Sequence, residues 1–462
     1  MKKLLAYVGL ATVGATTMHA QFNPGLTPQE LAQPWSVAAT VRGFYDDNIF
    51  TEPSSVALPN GTSIHRTPAS SYGVEFSPQL SWNYAPEQTT IGLNYVYDLK
   101  YYDRRNNGET LSHVFNASDQ SHLFNANLNH IFSERDKMMV AETFIYTDEP
   151  LVGSSGLIAT PLISAQTGPQ RTLLANIHNT AMIGNTLELT KLLDLGLSYQ
   201  NDLYAYDFGP AESGPGGPSA ELDRMEQLAS VNLDWKYSEA LTAILGYQYE
   251  HVGYTSPLLI IAPNVYSKVR NNDSHFAYVG ADEQFTPQLT GRIRVGGQFV
   301  DYYNAPTAET SIDPYVDASL TWEYMRASTA QAGVKYQHNP TDVTGASTTG
   351  AQNPVLDSDS TAVYVNLTQK IAGSLTGSLL GQWQHSVFNE PNGPTGASAQ
   401  FNDDGKFENF MVFGVNLSYR FNPYFSAETG YNWNKLNSHV INADTERDYT
   451  RDVVYVGVKG EF

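Results

Sequence analysis

From Val37 onward the chain repeats one pattern: segments of ~10–14 residues in which apolar and polar side chains alternate, separated in turn by a short polar connection and a long one. Successive side chains of a strand point to opposite faces, so each segment makes a ribbon with one apolar and one polar face. Eighteen such segments can be marked, ending with 450–462. The short connections include Ala85-Pro86-Glu87-Gln88, Ser238-Glu239 and Asn422-Pro423; the long ones include 51–70, 148–170 and 339–360. Because the two kinds strictly alternate, all short turns fall on one rim of the sheet and all long loops on the other. A soluble sandwich would mix loop lengths at both ends.

The pair 408–421 and 424–437 shows the faces most clearly. Met411, Phe413, Val415, Leu417 and Tyr419 share one phase, and Val412, Gly414, Asn416, Ser418 and Arg420 the other. The next segment sets Phe425, Ala427, Thr429, Tyr431 and Trp433 against Ser426, Glu428, Gly430, Asn432 and Asn434. Neither polar face could pack in a dry core, whereas a water-filled lumen accepts both. The expected fold is all-β: a closed antiparallel transmembrane β-barrel of about 18 strands, with short periplasmic turns and long extracellular loops. Within it the sixth strand is placed at 171–183 and the seventh at 190–204.

Ahead of the barrel, Met1-Lys2-Lys3 and the apolar run from Leu4 read as a secretory signal peptide over 1–20, too short to cross a ~30 Å bilayer as a helix. Residues 21–36 are expected as a periplasmic leader, where Thr27-Pro28-Gln29-Glu30 has the form of a capping box for a short helix, and 37–462 as the barrel. Cysteine is absent, which removes haem attachment, iron–sulfur clusters and disulfides. A net charge of -21 argues against nucleic acid as a partner. With so short a leader, no folded plug domain is expected ahead of the barrel.

In the last segment, Phe462, Gly460, Val458, Val456 and Val454 share a phase against Glu461, Lys459, Gly457 and Tyr455. A strand that closes on an aromatic residue in this way resembles the insertion signal of bacterial outer-membrane β-barrels. That resemblance implies a Gram-negative outer-membrane location and recognition by the barrel assembly machinery through the C-terminal strand. Arg42-Gly43-Phe44-Tyr45-Asp46-Asp47-Asn48-Ile49-Phe50 is similar to the opening strand of the β-barrel porin family often found beside exopolysaccharide genes. The expectation is a channel for passive diffusion of small polar solutes, linked to sugar or polysaccharide. The alternative is a structural or adhesive barrel with an occluded lumen and partner-binding loops.

On this phase the pore wall would carry Arg42, Glu75, Asp98, Lys100, Glu142, Asp234, Arg292, Arg294, Asp317, Glu323, Lys335, Lys370, Arg420 and Glu428, with structural charge pairing the leading interpretation. A periplasmic aromatic girdle is expected at Trp82, Tyr84, Trp235, Tyr237, Trp322, Tyr324, Tyr419, Phe421 and Phe462, since rings favour the headgroup level. In loop 148–170, apolar Leu151, Leu157, Ile158, Pro161 and Leu162 need cover, and the loop is similar to the constriction that general porins fold into the lumen after their fifth strand. Loop-on-loop packing and a subunit contact compete with it.

Acidic clusters Asp357-Ser358-Asp359 and Asp403-Asp404-Gly405 suit Ca²⁺ or a bridge to lipopolysaccharide by charge, but lack calcium-loop spacing, so solvated loops are expected. No metal spacing is evident among the histidines and no cofactor is expected. His385-Ser386 is similar to the pair used by outer-membrane phospholipases, but neighbours on a strand face opposite ways and no third partner is evident, so no enzyme is expected. The remaining partners are outer-membrane lipid and small polar solutes, with the chain a monomer or a homotrimer.

Overall fold

The computed structural model describes residues 34–57, 63–65, 67–103, 118–148, 175–206, 218–261, 264–305, 310–343, 347–348, 351–352, 354–390, 403–440 and 447–462. Eighteen long strands form one antiparallel sheet. They are β1 (Trp35–Asp46), β2 (Ser71–Tyr84), β3 (Thr89–Tyr102), β4 (Ser118–Ser133), β5 (Asp136–Thr147), β6 (Asn176–Thr190), β7 (Leu193–Tyr206), β8 (Arg224–Lys236) and β9 (Leu241–Tyr254). The second half holds β10 (Asn272–Thr286), β11 (Leu289–Asp301), β12 (Ser311–Met325), β13 (Ser328–Asn339), β14 (Asp357–Ala372), β15 (Leu375–Asn389), β16 (Phe407–Arg420), β17 (Phe425–Ser438) and β18 (Tyr449–Glu461). Each strand pairs with its sequence neighbour, and β18 returns to β1 from Ala38↔Glu461 to Asp46↔Val453. Val37 and Phe462 complete the seam by exchanging backbone hydrogen bonds of 2.9 and 2.8 Å. The sheet is therefore a closed barrel, the only form in which strands can cross hydrocarbon with every backbone group satisfied.

Strand alternation sorts the side chains. Val454, Val456 and Val458 are exposed outside, while Arg451, Tyr455 and Gly457 face in. Connections of two to four residues lie on one rim and the long loops on the other. One strand departs from the sequence expectation. The sixth runs Asn176–Thr190, not 171–183, because Gly184-Asn185 continues the ladder: Gly184 pairs with Ser198, and the Asn185 amide donates to Asp136 Oδ1 at 2.8 Å. The turn instead falls at Lys191-Leu192, where Thr190 Oγ1 accepts from Leu192 N at 3.2 Å.

Above the long-loop rim, connecting segments pack into a cap. Ala220, Ile260 and Ile261 form one buried cluster, and Val343, Val355 and Phe388 another. Arg270, fully buried at the end of the turn Ser267–Arg270, joins them. Its guanidinium donates to the carbonyls of Val355 (2.9 Å), Thr341 (3.0 Å), Glu221 (3.2 Å) and Val343. One side chain thus ties together three loops, and those carbonyls would otherwise be buried without a donor.

Candidate functional site

Two belts of alternating charge line the interior. In the first, Arg42 of β1 lies opposite Glu75 of β2, Glu75 opposite Lys100 of β3, and Lys100 opposite Asp119 of β4. Arg42 also reaches past β18 to Glu428 of β17, so that its guanidinium sits 2.5 Å from Glu75 Oε1 and 2.5 Å from Glu428 Oε1. The second belt pairs Arg294 of β11 with Asp317 of β12, and Asp317 with Lys335 of β13. Arg294 grips Asp282 of β10 with both terminal nitrogens, at 2.8 and 3.0 Å, and Arg292 Nε stands 3.6 Å from the same carboxylate. In a ring of eighteen, strands nine apart are diametrically opposed, so β1–β4 face β10–β13 across the lumen.

Both arginines reach their partners by lying along the wall, and a glycine makes that path. A Cβ on Gly457 would come within 2.6 Å of Arg42 Cγ, and one on Gly280 within 2.5 Å of Arg294 Cδ. Aromatic side chains use the same device. Tyr278 covers Gly246, Tyr364 covers Gly333 and Tyr455 covers Gly430, each directly across a strand pair, with ring atoms 2.2–2.7 Å from where a Cβ would stand. A long side chain laid flat over its neighbour is buried although it faces the lumen. The covering of a strand glycine by an aromatic ring also restores packing that glycine cannot supply. This feature went unrecognised in the sequence, where its signal was an inward glycine next to an inward tyrosine or arginine on the adjoining strand.

Neutral polar groups share the rest of the wall with buried apolar side chains, among them Phe44, Leu228, Ile244, Phe276, Phe410 and Leu436. Among the described residues, Asn432 has neither end of its buried amide hydrogen-bonded to protein, and the amide oxygens of Asn434, Gln248 and Gln298 are likewise without a protein partner. Buried amides of this kind require water or solute.

Of the residues expected on the pore wall, Arg42, Glu75, Asp98, Lys100, Asp234, Arg292, Arg294, Asp317, Lys335 and Glu428 point inward. Glu323, Lys370 and Arg420 share that phase but sit exposed at the short-turn rim, where Arg420 donates to the carbonyls of Asn422 and Pro423. Glu142 is a correction. It lies on the outward phase of β5 with Val140, Phe144 and Tyr146, flanked across the strands by Ala126 and Ala181. A rigid strand has one phase, and three large apolar side chains outweigh one carboxylate in choosing it.

Outside, the short-turn rim carries paired rings: Trp82 with Tyr84, Trp235 with Tyr237, Trp322 with Tyr324 and Tyr419 with Phe421, at centroid separations of 6.0, 5.4, 5.3 and 5.3 Å. Phe462 stacks on Tyr424 and meets Phe425 edge-on. Trp35, Phe132 and Phe285 are exposed near the same rim and were missed because each stands alone before or after its turn. The segment with Leu151, Leu157, Ile158, Pro161 and Leu162 lies outside the described residues. Asp357-Ser358-Asp359 is the start of β14, not a loop, since Ser358 and Asp359 pair with Asn339 and His338. His385 and Ser386 face opposite ways: His385 stacks on Trp383 outside, and Ser386 hydrogen-bonds Ser360 inside.

Comparison with known proteins follows this geometry. The chain is similar in structure to OpdK of Pseudomonas aeruginosa, solved with vanillate, at 12% identity over 93% of this chain and 99% of that one, with a TM-score of 0.42. OccAB3 of Acinetobacter baumannii aligns at 9% identity over 93% and 99% of the two chains, with a TM-score of 0.43. The FrpB iron transporter of Neisseria meningitidis aligns at 10% identity over 94% and 82%, with a TM-score of 0.43. No curated protein matches the chain. The sequence model described as "Putative beta-barrel porin 2" matches residues 191–462, from the turn between β6 and β7 to the last residue of the seam. The chain therefore belongs to that family of porins and is a protein of the bacterial outer membrane.

Proposed function

We propose that this porin is a passive diffusion channel for small neutral polar solutes of the sugar class. The observation that carries the proposal is the pair of opposed charge belts laid flat on glycine seats, in which one extra carboxylate on one side answers one extra cation on the other. Side chains that hug the wall favour an open passage, and opposed signs give a polar surface with little net preference for either ion. The amides without protein partners supply donors and acceptors suited to hydroxyl groups. Reconstituted in a planar bilayer, the protein should give discrete conductance steps with weak ion selectivity. Proteoliposomes should swell faster in a neutral monosaccharide than in charged solutes of like size. Absence of any step over many insertions would overturn the channel.

The cap held by Arg270 favours a second reading, a structural or adhesive barrel with an occluded lumen. The two part company in Arg270→Ala. A channel conducts before and after the substitution, whereas an occluded barrel is silent until its loops are released, or throughout.

A further inference from the structure

At the long-loop end of the barrel three strands bring together groups that the lumen chemistry does not use. His338 of β13 lies directly opposite Asp359 of β14, with Nδ1 3.3 Å from Asp359 Oδ1. Asp313 of β12 comes to 4.0 Å from the same nitrogen. The β12–β13 ladder ends at Val316↔Tyr336, below this level, so Asp313 meets the His338–Asp359 pair where β12 and β13 are no longer laced together. One ligand atom from each residue lies within 4.8 Å of the others.

The second ring nitrogen is occupied differently. His338 Nε2 stands 2.8 Å from the Tyr302 hydroxyl and 3.3 Å from Asp357 Oδ2, and the same hydroxyl donates to Asp357. In the tautomer whose Nε2–H donates to the Tyr302 hydroxyl and through it to Asp357, the Nδ1 lone pair is aimed at Asp313 and Asp359. A histidine oriented by a carboxylate on its far nitrogen is the arrangement that metal-binding imidazoles use.

We propose that Asp313, His338 and Asp359 bind a first-row divalent cation of the zinc class. Bonds of ~2.0–2.1 Å in a tetrahedron put ligands ~3.4 Å apart, which His338 and Asp359 already match and Asp313, within 4.8 Å of both, reaches by a side-chain shift of ~1.5 Å or less. Three carboxylates surround one imidazole here, so even a protonated ring leaves negative charge in excess. A divalent ion answers that excess. The imidazole favours zinc-class ions over calcium or magnesium, and three protein ligands are too few for calcium. His338 is buried while the side chains of Asp313 and Asp359 are each 19% exposed, which leaves an approach for the ion.

The test uses the mature, untagged barrel in detergent, stripped with chelator and titrated with Zn²⁺ by calorimetry. One ion per barrel is expected, unaffected by excess Ca²⁺. Affinity should be lost in His338→Ala and Asp359→Asn, fall about tenfold in Tyr302→Phe, and be unchanged in His122→Ala, which removes an outward ring bonded to Tyr95. Full affinity in a folded His338→Ala barrel, or no saturable binding to wild type, would overturn the site. If the variants fail to assemble, the zinc absorption edge of the wild-type complex decides. One imidazole with oxygen ligands supports the proposal, and an all-oxygen shell or several imidazoles refutes it.

Discussion

Arg42 is held between two carboxylates that lie on either side of β1 and β18, with the Tyr455 ring 5.0 Å from its guanidinium carbon. Both its partners are nearly buried, so removing the cation leaves charge that solvent only partly screens. Arg42→Gln should therefore cost about 3 kcal/mol in barrel stability and turn the lumen cation-selective, read as a reversal potential displaced toward the cation limit in a salt gradient. Gly457→Ala should shift selectivity the same way without changing any charge, because the added methyl occupies the seat of the arginine stem. An unshifted reversal potential in both variants would show that the belt does not bound the conducting path. Glu142 tests the outer face in the same manner. Asp and Glu on the lipid face are destabilising by less than the ~2–4 kcal/mol of a midplane Lys or Arg, so Glu142→Leu should stabilise the folded barrel by about 1 kcal/mol in urea titrations and leave conductance alone. A loss of stability would return Glu142 to the inner wall.

The strand is the scale at which the sequence spoke most plainly, and β18 is the best place to check it. Phe462 exchanges backbone bonds with Val37 and packs its ring among Tyr424 and Phe425 at the membrane boundary. Phe462→Asp should impair assembly, Phe462→Tyr should preserve it, and Glu461→Gln on the inner phase should be neutral, all read from heat-modifiable migration in outer-membrane fractions. A defect in Glu461→Gln that exceeded Phe462→Asp would reverse the assigned phase of that strand. Alternation was legible because a barrel wall parts oil from water at every residue, and the short-turn rim was legible because aromatic pairs mark it. Gly184-Asn185 misled because turn-forming residues also sit inside a strand when the ladder runs on through them and asparagine has a cross-strand carboxylate to meet. Glu142 misled because a short strand with two mixed phases is decided by its neighbours. The Asp313–His338–Asp359 cluster had no local signature at all: its members are 25 and 21 residues apart in sequence and meet only through the register of β12, β13 and β14.

For the molecule as a whole, the element to test is the cap packed above the long-loop rim. Arg270 bonds four carbonyls there, and Arg447 bridges Asp342 at 2.9 Å and Glu408 at 2.5 Å. Two carboxyls in this region hold their protons to higher pH than an ordinary glutamate. Burial pushes Glu221 from 4.5 up to about 8, Arg270 and Arg447 pulling it back and Asp342 pushing it further. Burial raises Glu390 to about 7, against the stabilising backbone N–H of Asp403 and with the repulsion of Asp403 and Asp404. A carboxyl whose folded value is raised contributes stability that is complete below its ordinary value and is lost as pH climbs through the folded one. Between those limits each pH unit costs about 1.4 kcal/mol per group. The cap should therefore loosen from about pH 5 upward, with Glu390 spent near 7 and Glu221 near 8, and single-channel conductance should rise over the same interval. Glu221→Gln should flatten the upper part of that profile, Glu390→Gln the lower, and Arg270→Ala should give the high-pH conductance at every pH. A wild-type conductance that falls with rising pH, or an Arg270→Ala channel that keeps the full wild-type profile, would mean that the cap does not limit passage through the barrel.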